Sequence, residues 1–225
     1  MQTSELLERR TAADMVFERL HEEIVSLAML PGTKLSEVDV ARRFGVSRQP
    51  VRDAFNRLDT LDLLLIRPQK ATVVRGFSME RIAHARFVRL AVELEVVRRA
   101  AAVWDADRAA VLTRNLAGQQ AAIAGGDIDA MHALDLEFHE SICTLGGCPL
   151  SIETVRECKQ KVDRLCRLSL GIEREPEMLL EDHRRLARAL SERSAEAATA
   201  ITREHLARLD DVITTIQHTH AAYFE

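Results

Sequence analysis

Aromatic residues are scarce in this 225-residue sequence, at 4%. No stretch approaches the roughly 18 uninterrupted apolar residues that a bilayer-spanning helix needs. The N-terminal "MQTSELLERR" has charge but no apolar run of signal-peptide length. A soluble, cytoplasmic protein with no membrane partner is therefore expected. Cys143, Cys148, Cys158 and Cys166 form no CxxC pair, so in a reducing compartment they are most simply free thiols in or near the core. The chain has no internal repeat and no low-complexity segment. Charge of one sign is also lacking overall, since 31 Lys and Arg stand against 35 Asp and Glu for a net −4. That balance is uneven along the chain. Residues 31–75 carry nine basic and five acidic side chains, and residues 76–225 carry nineteen and twenty-four.

Helical periodicity fills most of what remains. Val16, Leu20, Ile24 and Leu27 mark a first helix of about four turns that stops at Pro31-Gly32. "SEVDVARRF" ends at Gly45, and "SRQPVRDAFNRLDTL" begins at once, with Ser47 as N-cap, Pro50 in the first turn and a stripe of Val51, Phe55, Leu58 and Leu61. "LLLIRP" and "ATVVR", joined by Pro68-Gln69-Lys70, read as a small hairpin and as the only strands. After Gly76 six helices are expected, Ser78–Trp104, Asp107–Ala124, Asp127–Leu145, Pro149–Leu170, Glu175–Leu190 and Ser194–His218, with Gly125-Gly126, Gly146-Gly147 and Gly171 at turns. The predicted fold is mainly α: a winged helix-turn-helix over residues 1–76, then an all-α antiparallel bundle of six helices over residues 77–225.

A helix-turn-helix followed by a hairpin is a DNA-binding unit whose second helix enters the major groove. Ser47, Arg48, Gln49 and Arg52 occupy the first turn and a half of that helix, where Arg can read guanine and Gln can read adenine. Arg67 and Lys70 on the hairpin, and Lys34 and Arg42 before it, suit phosphates or a minor groove. The same residues would also serve as ordinary solvated charges. The resemblance of "LPGTKLSEVDVARRFGVSRQPVRDAFNRLDTLDLLLIRP" to the GntR family of bacterial transcription regulators bears on that choice. Gly45 to Leu58 matches the family's G-V-S-R-x-P-V-R-x-A-x-x-R-L at every fixed position. The resemblance implies base-reading roles for Arg48 and Arg52 and a phosphate or base contact for Ser47. It departs at Asp62 and Ala71, where the family usually has Gly, and Val38 lacks the basic residue that some relatives carry.

In the helical segment, polar residues intrude on apolar stripes. Asp135 and His139 lie four apart beside Met131, Leu134, Phe138, Ile142 and Leu145, so their side chains converge. His183 takes a stripe position with Leu179, Leu186 and Leu190, and His205 does so with Ala198, Ile201, Leu209, Val212 and Ile216. Each alone reads as a satisfied core polar residue. Together they would cost about 1–3 kcal/mol apiece if left unpaired, and one divalent ion satisfies all four. Three nitrogens and a carboxylate leave open positions and suit Zn, Ni, Mn or Fe, with Zn the simplest assignment. His21, His84 and His132 lie beside stripes, and His218 and His220 fall in a tail expected to fray.

This segment is similar to the FCD ligand-sensing domain of the FadR-like GntR branch, and six helices resemble its VanR-like subgroup. Metal-binding members carry Asp-x3-His and two later histidines, matched by "DLEFH", "HRRLARAL" and "REHLARL". Arg89 and Glu93 match the family's R-x3-E, which implies an effector-facing Arg89, and Arg164 and Arg167 are further candidates. The resemblance implies a homodimeric regulator, usually a repressor, that reads a palindromic double-stranded operator. A small carboxylate-bearing metabolite beside one metal ion per chain would modulate it. A regulator whose metal is itself the signal, or a metal-dependent enzyme, would use the same ligands. The enzyme reading lacks a general base at a diagnostic spacing and leaves the N-terminal motif unexplained, so no enzymatic activity is expected.

Overall fold

A computed structural model describes residues 11–67, 69–169 and 175–225, which divide into two compact units. Met79–Ala221 forms one, and the preceding residues through Ser78 form the other together with Ala222–Glu225. Those last four residues, expected within the helical domain, thus group with the first unit. No helix among the described residues is long and apolar enough to cross a membrane.

In the first unit, α1 (Ala12–Val25), α2 (Glu37–Phe44) and α3 (Arg48–Thr60) bury Val16, Leu20, Ile24, Val40, Val51, Phe55 and Leu58 in one core. Each such side chain contributes about 1.5–3 kcal/mol on full burial. Two expectations shift at helix ends. Helix α1 stops before Leu27, which turns to φ 63, and Leu61 caps α3 while remaining 39% exposed. Gly45 has φ 66, the left-handed conformation that glycine adopts without a Cβ penalty, and so lets α3 start three residues later. Three strands form the wing, where two were expected. The hairpin of β2 (Leu64–Leu65) and β3 (Thr72–Val74) is joined on the other side of β3 by β1 (Lys34–Leu35), all antiparallel. Two residues of "TKLS" are too few to show alternation. Asp62 supplies the positive φ (60) after α3, and Gln69, not Ala71, supplies it in the wing turn (φ 58). Pro68 lies outside the described residues.

In the second unit, α4 (Met79–Val103), α5 (Ala106–Gly125), α6 (Ile128–Leu145), α7 (Ser151–Cys166) and α8 (Glu175–Ser191) follow the expected order. Asp105 and Asp127 cap α5 and α6 by accepting from Arg108 and Ala130 backbone N–H groups. The sixth expected helix is present but interrupted at Arg208, giving α9 (Ala195–Ala207) and α10 (Leu209–Thr219). There the Arg208 amide donates to the His205 carbonyl at 3.4 Å, a three-residue step that tightens the turn, while its guanidinium pairs with Asp182 of α8. Leu170 and Gly171 lie outside the described residues. The core joins Val96, Val97 and Ala100 of α4, and Trp104 just after it, to Leu112, Phe138, Ile142, Val155, Leu186 and Leu190. All four cysteines are free thiols, Cys143 and Cys158 buried among them.

Candidate nucleic-acid interface and metal centre

Ser47 stands at the N-cap position of α3, yet its hydroxyl makes no capping bond. Pro50 costs α3 nothing, because first-turn amides have no partner within the helix. With Val51, Ala54, Phe55 and Leu58 facing the core, Arg48 and Arg52 project outward, their side chains 59% and 50% exposed. Both converge on Glu37 at the start of α2. Arg48 Nη2 lies 2.8 Å from its Oε2, and Arg52 donates through Nε at 3.2 Å and Nη2 at 3.1 Å. Hydrogen bonds from Arg52 and Arg48 hold the Glu37 carboxyl below the ordinary range. Gln49 donates to Asp53 at 2.9 Å and Arg42 to Asp39 at 3.1 Å. Lys34, Arg67 and Lys70 are exposed on β1 and the wing.

In the second unit, Asp135, His139, His183 and His205 are all buried, and one ligand atom from each lies within 4.8 Å of the others. Asp135 Oδ1 is 3.3 Å from His183 Nε2 and 3.9 Å from His139 Nε2. Two ligands of one tetrahedral zinc with bonds near 2.0 Å lie roughly 3.3 Å apart. The outer nitrogens face acceptors. His139 Nδ1 is 2.7 Å from Glu93 Oε2, His183 Nδ1 is 2.8 Å from Gln119 Oε1, and His205 Nδ1 faces Asp182 Oδ2 at 3.6 Å. In His139 and His183 the acceptor on Nδ1 favours the tautomer whose Nε2 lone pair points inward, the arrangement that orients metal-binding imidazoles. His139 Nε2, His183 Nε2 and His205 Nδ1 are buried with no hydrogen-bond partner among the described residues. Burial drives the His183 and His205 pKa values down, favouring the neutral ring that binds metal. Burial pushes the Asp135 carboxyl up, but the Lys159 ammonium leads the positive charge that outweighs it and holds it well below the usual range. The donor set, its convergence and the orphaned nitrogens fit a divalent ion.

Sequence reasoning missed Gln119, Asp182 and Lys159. Lys159 of α7 is 2% exposed, its Nζ 2.6 Å from Asp135 Oδ2 and 2.5 Å from Asp163 Oδ2. Gln119 and Asn115 stand on the buried stripe of α5 between Leu112 and Ala122, a signal that the stripe criterion used for the histidines would have found. Glu93, anticipated only as part of the R-x3-E match, bridges Arg89 and His139. Arg89 and Arg164 are buried at 5%, and Arg167 pairs with Asp129 at 3.0 Å.

Two family descriptions match the chain: "Bacterial regulatory proteins, gntR family" over residues 12–74 and "FCD domain" over residues 85–208. The "HTH-type transcriptional repressor RspR" of Escherichia coli K12 is 34% identical over 209 residues, covering 93% of this chain and 92% of that protein. A regulator from an unstable DNA locus of Streptomyces ambofaciens is 30% identical, over 92% of this chain and 87% of its own length. The solved structure of E. coli McbR/YncC shares the fold, with a TM-score of 0.73 at 21% identity over 91% of this chain and 98% of that one. The chain belongs to the GntR family of bacterial regulatory proteins, transcriptional regulators that bind DNA operators and are not enzymes, and it carries the family's FCD domain.

Proposed function

We propose that this regulator is a homodimeric, cytoplasmic repressor. Two α3 helices read the halves of a palindromic operator, and a small carboxylate-bearing metabolite bound in the helical unit near a divalent metal releases the DNA. The observation that carries the sensing half is the convergence of three imidazoles, each with its outer nitrogen facing an acceptor, on the buried Asp135 carboxylate. Asp135, His139, His183 and His205 would hold the ion, Zn most simply, with Ni, Mn or Fe compatible with the same donors. A bound divalent ion supplies positive charge and open coordination positions. Glu93 and Gln119 hold His139 and His183 in the ligating tautomer, the Asp182 carboxylate lies beside His205, and Lys159 fixes the second oxygen of Asp135. A two-fold dimer places its recognition helices about 34 Å apart, one turn of the duplex. Repression is the role named for the E. coli relative RspR.

Gel-shift titration of Arg48→Ala and Arg52→Ala tests the DNA half. Each lost base contact is expected to cost about 1–3 kcal/mol of specific affinity. Operator affinity unchanged in both variants defeats it. Metal analysis of the purified protein, with operator binding before and after chelation, tests the sensing half. Response to a metabolite but not to chelation supports the reading, whereas a change in operator affinity on chelation alone would make the metal the signal.

A further inference from the structure

We infer that Lys159 selects among divalent ions at the metal site, by holding one oxygen of Asp135 and leaving that carboxylate a single oxygen to offer. This rests on the metal site proposed above and deepens it, from whether an ion binds to which ions are accepted. The two oxygens of Asp135 face different partners. Oδ1 lies 3.3 Å from His183 Nε2 and 3.9 Å from His139 Nε2, among the nitrogens proposed as ligands. Oδ2 lies 2.6 Å from Lys159 Nζ. The ammonium has little freedom to leave. Lys159 is 2% exposed, and its Nζ is also 2.5 Å from Asp163 Oδ2, one turn along α7. An ion that drew Oδ2 into its shell would leave this ammonium with Asp163 alone, and breaking a buried pair is costly because it leaves a charge undercompensated.

Taking one carboxylate oxygen out of the donor set bears unequally on different ions. Three imidazoles and a single carboxylate oxygen make a four-donor set that zinc takes in tetrahedral geometry. Ions that prefer an oxygen-rich octahedral shell, manganese among them, gain most from a carboxylate that can close with both oxygens. With Oδ2 committed to Lys159, they lose that donor and zinc loses nothing. Repulsion from the ammonium acts on every dication alike, so it lowers affinity without ranking the ions. Selectivity therefore resides in the held oxygen, and a ratio of affinities isolates it. Lys159 is a positioning residue, acting on the ion through Asp135.

Zinc and manganese affinities of the full chain, each read by competition with a chromophoric chelator, test this in the parent and in Lys159→Met, which keeps an apolar side chain of similar length without the ammonium. Both affinities should rise as the repulsion is removed, manganese more than zinc. The zinc-to-manganese ratio should fall by roughly tenfold or more, the size of effect that groups behind metal ligands commonly have. The parent chain supplies a second measurement that needs no folded variant. In a crystal structure of the manganese-loaded parent, Asp135 should meet the ion through Oδ1 alone, with Lys159 Nζ still on Oδ2. Both oxygens on the ion in the parent, or an unchanged ratio in folded Lys159→Met, overturns the role given to Lys159 and leaves the metal site standing. Binding of neither ion by the parent chain overturns the metal site itself, and this inference with it.

Discussion

Arg48 and Arg52, proposed above to read bases, both donate to Glu37, and that contact makes a prediction about how the two charges meet DNA. The Glu37 carboxylate braces Arg48 and Arg52, pre-setting two long side chains whose ordering otherwise weakens binding. It also places a negative charge where phosphates approach. Replacing it, as Glu37→Gln, should tighten non-specific binding and steepen the dependence of log affinity on log salt by about one. The ratio of operator to random-sequence affinity should fall. Fluorescence anisotropy over a salt series measures both, and an unchanged slope and ratio would deny Glu37 this role. At this scale the sequence was informative where chemistry broke a pattern. Asp135, His139, His183 and His205 stood out because each sits on or beside a 3.6-period apolar stripe. Asp182 did not, because its partners are His205 on α9 and Arg208 at the break after it, and which helices neighbour one another is not written in any local spacing. Lys159 was hidden for the same reason, since its partner Asp135 is on α6.

Elements are defined by their ends, and two ends make quantitative predictions. Thr11 and Asp14 form a capping box at α1, and Asp14 also reaches Arg57 of α3 at 2.8 Å, beside the stacking of Arg57 on Phe17 at 3.9 Å. The Thr11 hydroxyl, its backbone N–H and Arg57 bring the Asp14 pKa down to about 2. A lowered folded pKa contributes stability that is present above the ordinary aspartate value and lost as pH falls through the folded one. The cap therefore holds at neutral pH and weakens from about pH 4 downward. Thr11→Ala should cost about 0.5–2 kcal/mol and return the Asp14 titration toward its usual range, as carboxyl NMR would show; an unmoved titration would mean the cap is not its cause. At the other end of the scale of spacing, Gly146 follows α6 where an added Cβ would meet the Ala100 Cβ and the Ile142 carbonyl, each at 2.9 Å. Gly146→Ala should destabilise the helical unit by about 1–3 kcal/mol through overpacking of α4 on α6. Gly125→Ala, with open space around it, should be near neutral, and equal melting temperatures for the two variants would refute the packing argument. Periodicity located these helices well but carried straight through Arg208, because an apolar repeat does not register a one-residue change of hydrogen-bond step.

For the whole molecule, connectivity matters more than any single element. The chain leaves the first unit after Ser78 and returns at Ala222. There the Phe77 amide donates to the Tyr223 carbonyl at 2.8 Å, Glu225 N–H donates to the Phe77 carbonyl at 2.9 Å, and the Phe77 and Phe224 rings lie 5.6 Å apart. The tail that was expected to fray is paired, with a partner too distant in sequence for any local pattern to reveal. Every proposed metal ligand and every acceptor behind it lies in the second unit, and α3 and the wing lie in the first. Metal bound to the folded second unit stabilises that unit by mass action, about 2.7 kcal/mol at 100 times its dissociation constant, and the first unit contributes no ligand. Removing the metal should therefore lower one calorimetric transition and leave the other in place. For a unit of this size a stabilisation of that magnitude corresponds to several degrees, at about 2–4 °C per kcal/mol. His183→Ala should remove the chelator's effect without further lowering the first unit's transition. If both transitions move together, or neither moves, the stabilising ion is not held by these four side chains in that unit alone.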